Sequence, residues 1–216
     1  MFAGSLDWVE ERLGLRPVAS RLLDHDVPQS VTWWHCFGGL TFFTFIVQIV
    51  TGIIMTFYYV PSPDHAHDSV AYLQNEVWFG SIIRNLHRWG AYAMVVLVVA
   101  HMLRVFVQGA YRKPREMNWI VGVLALLMVL AFGFTGYLLP WDQKAYWATN
   151  VGINIAGSAP VIGSGIASFL RGGPELGALT LSRFFALHVF ILPLVLIVLL
   201  AAHFGMIRKQ GIAEPL

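Results

Sequence analysis

The chain has a single cysteine among its 216 residues, which excludes an internal disulfide and any metal cage built from cysteine alone. Charge is scarce: 12% of residues are Asp, Glu, Lys or Arg against 57% hydrophobic, a balance foreign to water-soluble globular domains. The net charge of +2 gives no reason to expect a nucleic-acid partner. The first 30 residues lack an apolar run, so no cleavable leader is expected there. There is no sequence repeat and no low-complexity tract to suggest a second domain. Basic residues are also unevenly spread, and the stretch 61–80 holds Asp64, Asp68 and Glu76 without one Lys or Arg.

What the chain does have is long apolar runs. Crossing a hydrocarbon core of about 30 Å takes roughly 20 apolar residues. Spans are expected at about 33–59, 81–110, 117–139 and 183–205. The predicted fold class is an all-α membrane protein, with residues 1–216 as one domain and four transmembrane helices in a bundle. At 5–23, Leu6, Trp8, Val9, Leu13 and Leu15 interleave with Glu10, Glu11, Arg12 and Arg16, a pattern for an amphipathic helix lying on the membrane surface. The loop 140–182 contains Pro140, Pro160 and Pro174, and its apolar patch 160–170 is long enough only for short interfacial helices. Arg12, Arg16 and Arg21, the loop residues Arg112, Lys113 and Arg115, and the tail residues Arg208 and Lys209 all fall on one side. The positive-inside bias makes that the negative, cytoplasm-like side and places both termini there.

Four histidines interrupt the second and fourth runs: His87 and His101, then His188 and His203. Imidazole is costly to bury in hydrocarbon, and a single one is ordinarily a proton relay or an interhelical hydrogen bond. Residues 14 apart on a helix are about 21 Å apart along its axis and within about 40° of one face. His87 and His101 meet that condition, whereas His188 and His203, 15 apart, miss alignment by about 60°. The second and fourth spans run in the same direction, so His87 faces His188 and His101 faces His203. Each pair offers two axial nitrogens, as a six-coordinate haem requires. Zinc needs at least three protein ligands, which a pair cannot supply.

The histidine interval returns in glycines on the other two spans, Gly38 with Gly52 and Gly122 with Gly136. Glycine lets a backbone approach a macrocycle closely, although small residues also serve ordinary helix packing in membranes. Arg84, Arg88 and Arg104 stand beside His87 and His101 as candidates to pair with haem propionates. For Arg84 and Arg88, snorkelling to the interface is the competing reading.

These residues, with the stretches Met55-Thr-Phe-Tyr-Tyr59, His87-Arg-Trp89, Lys113-Pro-Arg-Glu116, Gly136-Tyr and Pro140-Trp-Asp-Gln143, closely resemble the cytochrome b6 family and the N-terminal half of cytochrome b. The resemblance runs from Asp7-Trp8 to the tail Met206–Gly211, and the 15-residue interval is the b6-type spacing. It implies a positive-side b-type haem on His87 and His188 and a negative-side one on His101 and His203. It further implies a third haem joined by one thioether to Cys36; no Cys-x-x-Cys-His is present to hold a haem by two. Arg208 matches an arginine near that haem and the negative-side quinone pocket. His35 stands where plant-type members have an aromatic residue, and its role is open.

The function implied is the haem-bearing subunit of a quinol:electron-acceptor oxidoreductase. Quinol would be oxidised near Tyr137, Pro140 and Trp141, and electrons would cross to a quinone site on the other side with protons translocated. The implied partners are a subunit IV-like protein, a Rieske iron–sulfur protein and a c-type cytochrome, in a dimeric complex. The implied membrane is a bacterial inner membrane, with a thylakoid as the alternative. Two other readings of the histidines are a dihaem anchor for a dehydrogenase or hydrogenase, and a transporter with a histidine relay.

Overall fold

The computed structural model describes residues 31–213, among which every regular element is helical. The expected surface helix at 5–23 lies outside the described residues. A 3-10 turn, Trp33–His35, leads into α1 (Cys36–Thr56), followed by α2 (Ala66–Asn75), α3 (Gly80–Val107) and α4 (Glu116–Leu138). Next come α5 (Gln143–Gly157), α6 (Gly163–Arg171), α7 (Ala178–Ala186) and α8 (Leu192–Gln210). A π-helical turn, Leu187–Ile191, joins α7 and α8. Four rods are long and apolar enough to cross a membrane: Trp33–Thr56, Gly80–Val107, Glu116–Leu138 and Ala178–Gln210. Helices that satisfy their own backbone hydrogen bonds are what such sequences can form in hydrocarbon. The protein is an integral membrane protein.

Three departures from the sequence expectation have local causes. The first span stops short of residue 59 because Phe57, Tyr58 and Tyr59 turn back onto the carbonyls of Ile54 and Met55, ahead of Pro61. The fourth begins earlier, at Ala178, where the Thr180 hydroxyl accepts the Gly177 N–H and donates to the Arg171 carbonyl. It also runs on to Gln210 before stopping at Gly211, whose φ of 72° suits glycine. The stretches 61–80 and 140–160 also hold helices, α2 and α5, where the sequence reading expects loop. Helix α5 starts at Asp142, whose carboxylate accepts the Ala145 N–H at 2.8 Å. Its buried residues, Ala145, Thr149 and Ile153, recur every fourth position among glycines and asparagines that dilute the period.

Packing joins the spans two by two: α1 lies along α3 and α4 along α8, with α3 touching α4. Phe45, Met94, Val98, Val129 and Leu196 form a buried layer where these pairs meet. Phe45 lies midway between Gly38 and Gly52, Met94 midway between His87 and His101, and Val129 midway between Gly122 and Gly136. Leu196 divides the interval from His188 to His203. Seven residues make close to two helical turns, so each rod presents site, core and site on one face. A second core of Ala66, Leu138, Ile153, Leu176, Leu181 and Phe184 fastens α2 and α5 to the ends of α4 and α7.

The fourth rod also corrects the angular mismatch of its histidines. Pro193 has no N–H to offer the Val189 carbonyl, and the helix widens into the π turn there. The turn holds one residue more than an α turn, which offsets the extra residue in the interval from His188 to His203. Cutting Leu196 (3% exposed) to Ala is expected to destabilise the purified protein by about 2–5 kcal/mol. Thermal unfolding in detergent should show this loss, whereas Val198→Ala (61% exposed) should leave the transition nearly in place.

Candidate metal centres

Two layers of imidazoles stand on either side of the buried midplane. His87 of α3 and His188 of the π turn have ring centroids 6.2 Å apart. His101 of α3 and His203 of α8 are 6.4 Å apart. Two imidazoles bound on opposite sides of one metal ion, with nitrogens at about 2.0–2.1 Å and about 1.1 Å from their ring centres, would stand about 6.3 Å apart. Both pairs therefore have the spacing of two axial ligands sharing an ion. Among the described residues no three His, Cys, Asp or Glu side chains gather into a metal-binding group. An ion held by two nitrogens here takes its remaining ligands from a group of its own, and a tetrapyrrole supplies four.

Each histidine is seated against one of the spaced glycines, across the helix pair that carries it. A Cβ on Gly52 would lie 3.3 Å from His87 Cε1, and one on Gly136 would lie 2.6 Å from His188 Cε1. In the other layer a Cβ on Gly38 would lie 3.1 Å from His101 Cε1, and one on Gly122 would lie 3.8 Å from His203 Cε1. The close approach that glycine permits is thus made by the imidazole edges. For His87, His101 and His188 this crowding limits how far the ring can lean toward the facing helix.

Hydrogen bonds decide which ring nitrogen is free in one layer. The Thr51 hydroxyl donates to the Val47 carbonyl at 2.6 Å, so toward His87 Nδ1, 2.9 Å away, it acts as acceptor. Thr135 does the same, donating to the Ala131 carbonyl at 2.8 Å and meeting His188 Nδ1 at 3.1 Å. Both imidazoles carry their proton on Nδ1 and leave Nε2 as the bare donor a metal needs. In the second layer Nδ1 of His101 and of His203 is buried without a hydrogen-bond partner. Sequence reasoning missed Thr51 and Thr135, although a signal was present. Each directly precedes a spaced glycine, where Phe37 and Val121 stand in the other layer.

The arginines divide. Arg84 donates to Gln74 Oε1 at 2.8 Å, and Arg88 is exposed. Arg104, one turn beyond His101, reaches Gln108 Oε1 at 3.3 Å and keeps its Nε buried without a partner, a cation placed for an anionic group. Cys36 is exposed at the first turn of α1, two residues before the glycine that seats His101. Arg208 is exposed in the last turn of α8. His35 accepts the Thr32 N–H on Nδ1 at 3.0 Å, so its own proton sits on Nε2.

At the opposite end, Trp141 takes a left-handed backbone, φ 52°, and packs edge-on against Tyr146. With Asp142, Gln143, Tyr146 and Trp147 it lines a cavity of about 280 Å³. Of the three residues expected at a quinol site, only Trp141 lines it. Tyr137 is exposed on α4, and the Pro140 carbonyl meets His67 Nδ1 at 3.3 Å. Nearby, Tyr59 donates its hydroxyl to the Leu139 carbonyl at 2.7 Å, and burial pushes its phenol pKa up.

A family profile described as Cytochrome b/b6/petB matches residues 22–211. The chain is 56% identical over 218 residues to the menaquinol:cytochrome c reductase cytochrome b subunit of Geobacillus thermodenitrificans, covering 97% of each. It is 48% identical over 213 residues to cytochrome b6 of Heliobacterium mobile, covering 98% of this chain and 100% of that one. Among solved structures, a chain of a hyperthermophilic respiratory Complex III superposes with a TM-score of 0.88 at 33% identity. That match covers 97% of this chain, which spans 56% of the other.

The glycine contacts predict an unequal response to one methyl group. Gly136→Ala must displace the His188 ring and is expected to weaken cofactor binding in that layer by about 1–3 kcal/mol. Gly122→Ala meets only an ordinary contact at 3.8 Å and should leave binding unchanged, as read from the absorbance of the purified proteins.

Proposed function

The chain belongs to the cytochrome b/b6 family, and on that premise we propose that it is the haem-carrying membrane subunit of a quinol-oxidising, cytochrome-reducing complex. The observation that carries this reading is the pair of histidine layers with ring centroids 6.2 and 6.4 Å apart. His87 and His188 would hold one b-type haem, His101 and His203 a second, and Cys36 a third through a single thioether. When bound, the haems supply one-electron carriers spaced across the membrane, and the redox chemistry is theirs.

The protein's own residues do the remaining work. The rings of His87, His101 and His188 are held by close glycine contacts, and those of His87 and His188 also by the Thr51 and Thr135 hydroxyls, so little reorganisation would accompany a change of charge there. Arg104 would neutralise a propionate at the negative-side haem, which its unpartnered Nε supports. The apolar layer around Phe45, Met94 and Leu196 keeps water out between the sites. Quinol oxidation is assigned to the end bearing Trp141 and Asp142, where the cavity of about 280 Å³ approaches the size of small-ligand pockets. Protons would be released at that end and taken up near Cys36 and Arg208. The basic loop 108–115 and the tail support a negative-side location for the Cys36 end. An electron moving inward against the membrane potential costs about 2.3 kcal/mol per 100 mV, so the reaction needs a downhill branch on partner subunits. A subunit IV-like protein, a Rieske iron–sulfur protein and a c-type cytochrome are the proposed partners, in a dimeric complex. The name of the Geobacillus relative supports menaquinol as the quinol.

The test is a haem inventory. The purified protein should release two haems per chain to acid acetone and retain one through denaturing electrophoresis. His188→Ala should remove one extractable haem, and Cys36→Ala should abolish the covalent stain alone. No haem at all would point to a histidine relay. Two haems with none covalent would point to a dihaem anchor.

A further inference from the structure

The two histidine layers match in ring spacing and differ in what lies behind the rings. We infer that Thr51 and Thr135 are positioning residues that would make a metal ion held between His87 and His188 harder to reduce, a layer-specific contribution to the direction of electron flow. The inference rests on the haem reading above and adds to it the residues that distinguish the two sites.

The geometry behind it is symmetric. Thr51 is 6% exposed and Thr135 is 4% exposed, and each approaches the Nδ1 of the histidine on the facing helix. Each hydroxyl spends its proton on a carbonyl one turn back in its own helix, Val47 for Thr51 and Ala131 for Thr135. A β-branched threonine in a helix adopts this arrangement readily, because its hydroxyl reaches the carbonyl of the preceding turn. The oxygen left facing the imidazole is polarised by the bond it donates and accepts the Nδ1 proton more strongly.

Pulling on the Nδ1 proton makes Nε2 a more basic ligand. A more basic ligand stabilises the ion with the higher charge, the oxidised form, and disfavours the added electron. In the other layer the residues at the corresponding positions are Phe37 and Val121, which have no hydroxyl. There Nδ1 of His101 and of His203 is buried unpartnered. On this account an electron shared between the layers is biased from His87/His188 toward His101/His203. Arg104 beside His101 acts in the same sense. Arg84 and Arg88 beside His87 oppose it, so the threonines set one contribution to the difference.

Valine keeps the shape of threonine and removes the hydroxyl, while serine keeps the hydroxyl and removes the methyl. The experiment is an optical redox titration of the purified complex carrying T51V/T135V, with the positive-side signal identified by its loss in His188→Ala. The double valine variant is expected to raise the reduced-to-oxidised ratio of that haem about tenfold at fixed potential, equivalent to about 59 mV for one electron. The negative-side haem should titrate as in the parent, and its low-spin electron paramagnetic resonance signal should not move. T51S/T135S should restore the parental titration. If the valine variant loses the haem, the serine variant decides, since it must then both bind haem and titrate normally. An unchanged midpoint with haem retained would overturn the inference, as would equal shifts in both haems or failure of serine to rescue. Absence of haem from the parent complex would instead overturn the cofactor reading itself.

Discussion

An imidazole inside hydrocarbon has two nitrogens to satisfy and no water to satisfy them, and the structure is organised around four such rings. The rings of each pair stand at the separation that two ligands sharing one metal ion would have. Behind each ring a neighbouring helix presents a glycine in place of a side chain. This arrangement explains why the bundle is built from two tight helix pairs. Helix α1 presents the glycines that seat the histidines of α3, and α4 presents those for the π turn and α8. The aligned pairs then meet across the gap that the rings define.

The demand repeats along the membrane normal with a period of seven residues, close to two helical turns. Site layers alternate with one apolar layer, and the alternation reaches every rod: glycine, Phe45, glycine; histidine, Met94, histidine; glycine, Val129, glycine; histidine, Leu196, histidine. The fourth rod carries one residue too many for this scheme, and the π turn before Pro193 takes it up. A departure from ideal helix in the rod that bears two ligands is therefore a register correction. The two layers remain chemically unlike, since hydroxyls meet Nδ1 in one pair and Nδ1 of the other pair is buried without a partner.

Features that depend on one helix were legible beforehand. The apolar runs gave four spans within a few residues, and the histidine intervals with the direction of the spans foresaw which rings would face which. The ends were less legible. Helices α2 and α5 were not legible because their buried faces are short and interrupted by polar residues, and both join a core that includes Leu181 and Phe184, remote from them in sequence. Of the quinol-site candidates, Trp141 lines a cavity whereas Tyr137 and Pro140 do not, because the left-handed turn at Trp141 redirects the chain between them and α5.

By itself the sequence determined the membrane class, the number of rods, the vertical spacing of two sites and the residues able to serve them. Periodicity along a single helix is a local property, and hydrophobic length is counted residue by residue. Only the tertiary structure decided the tautomer of His87 and His188, the seating of each ring against a particular glycine, and the cancellation of the 15-residue offset. These depend on atoms that meet across helices, such as Thr51 with His87, 36 residues apart, and Thr135 with His188, 53 residues apart. Packing sets those distances to fractions of an ångström, and no pattern along one strand of sequence encodes them.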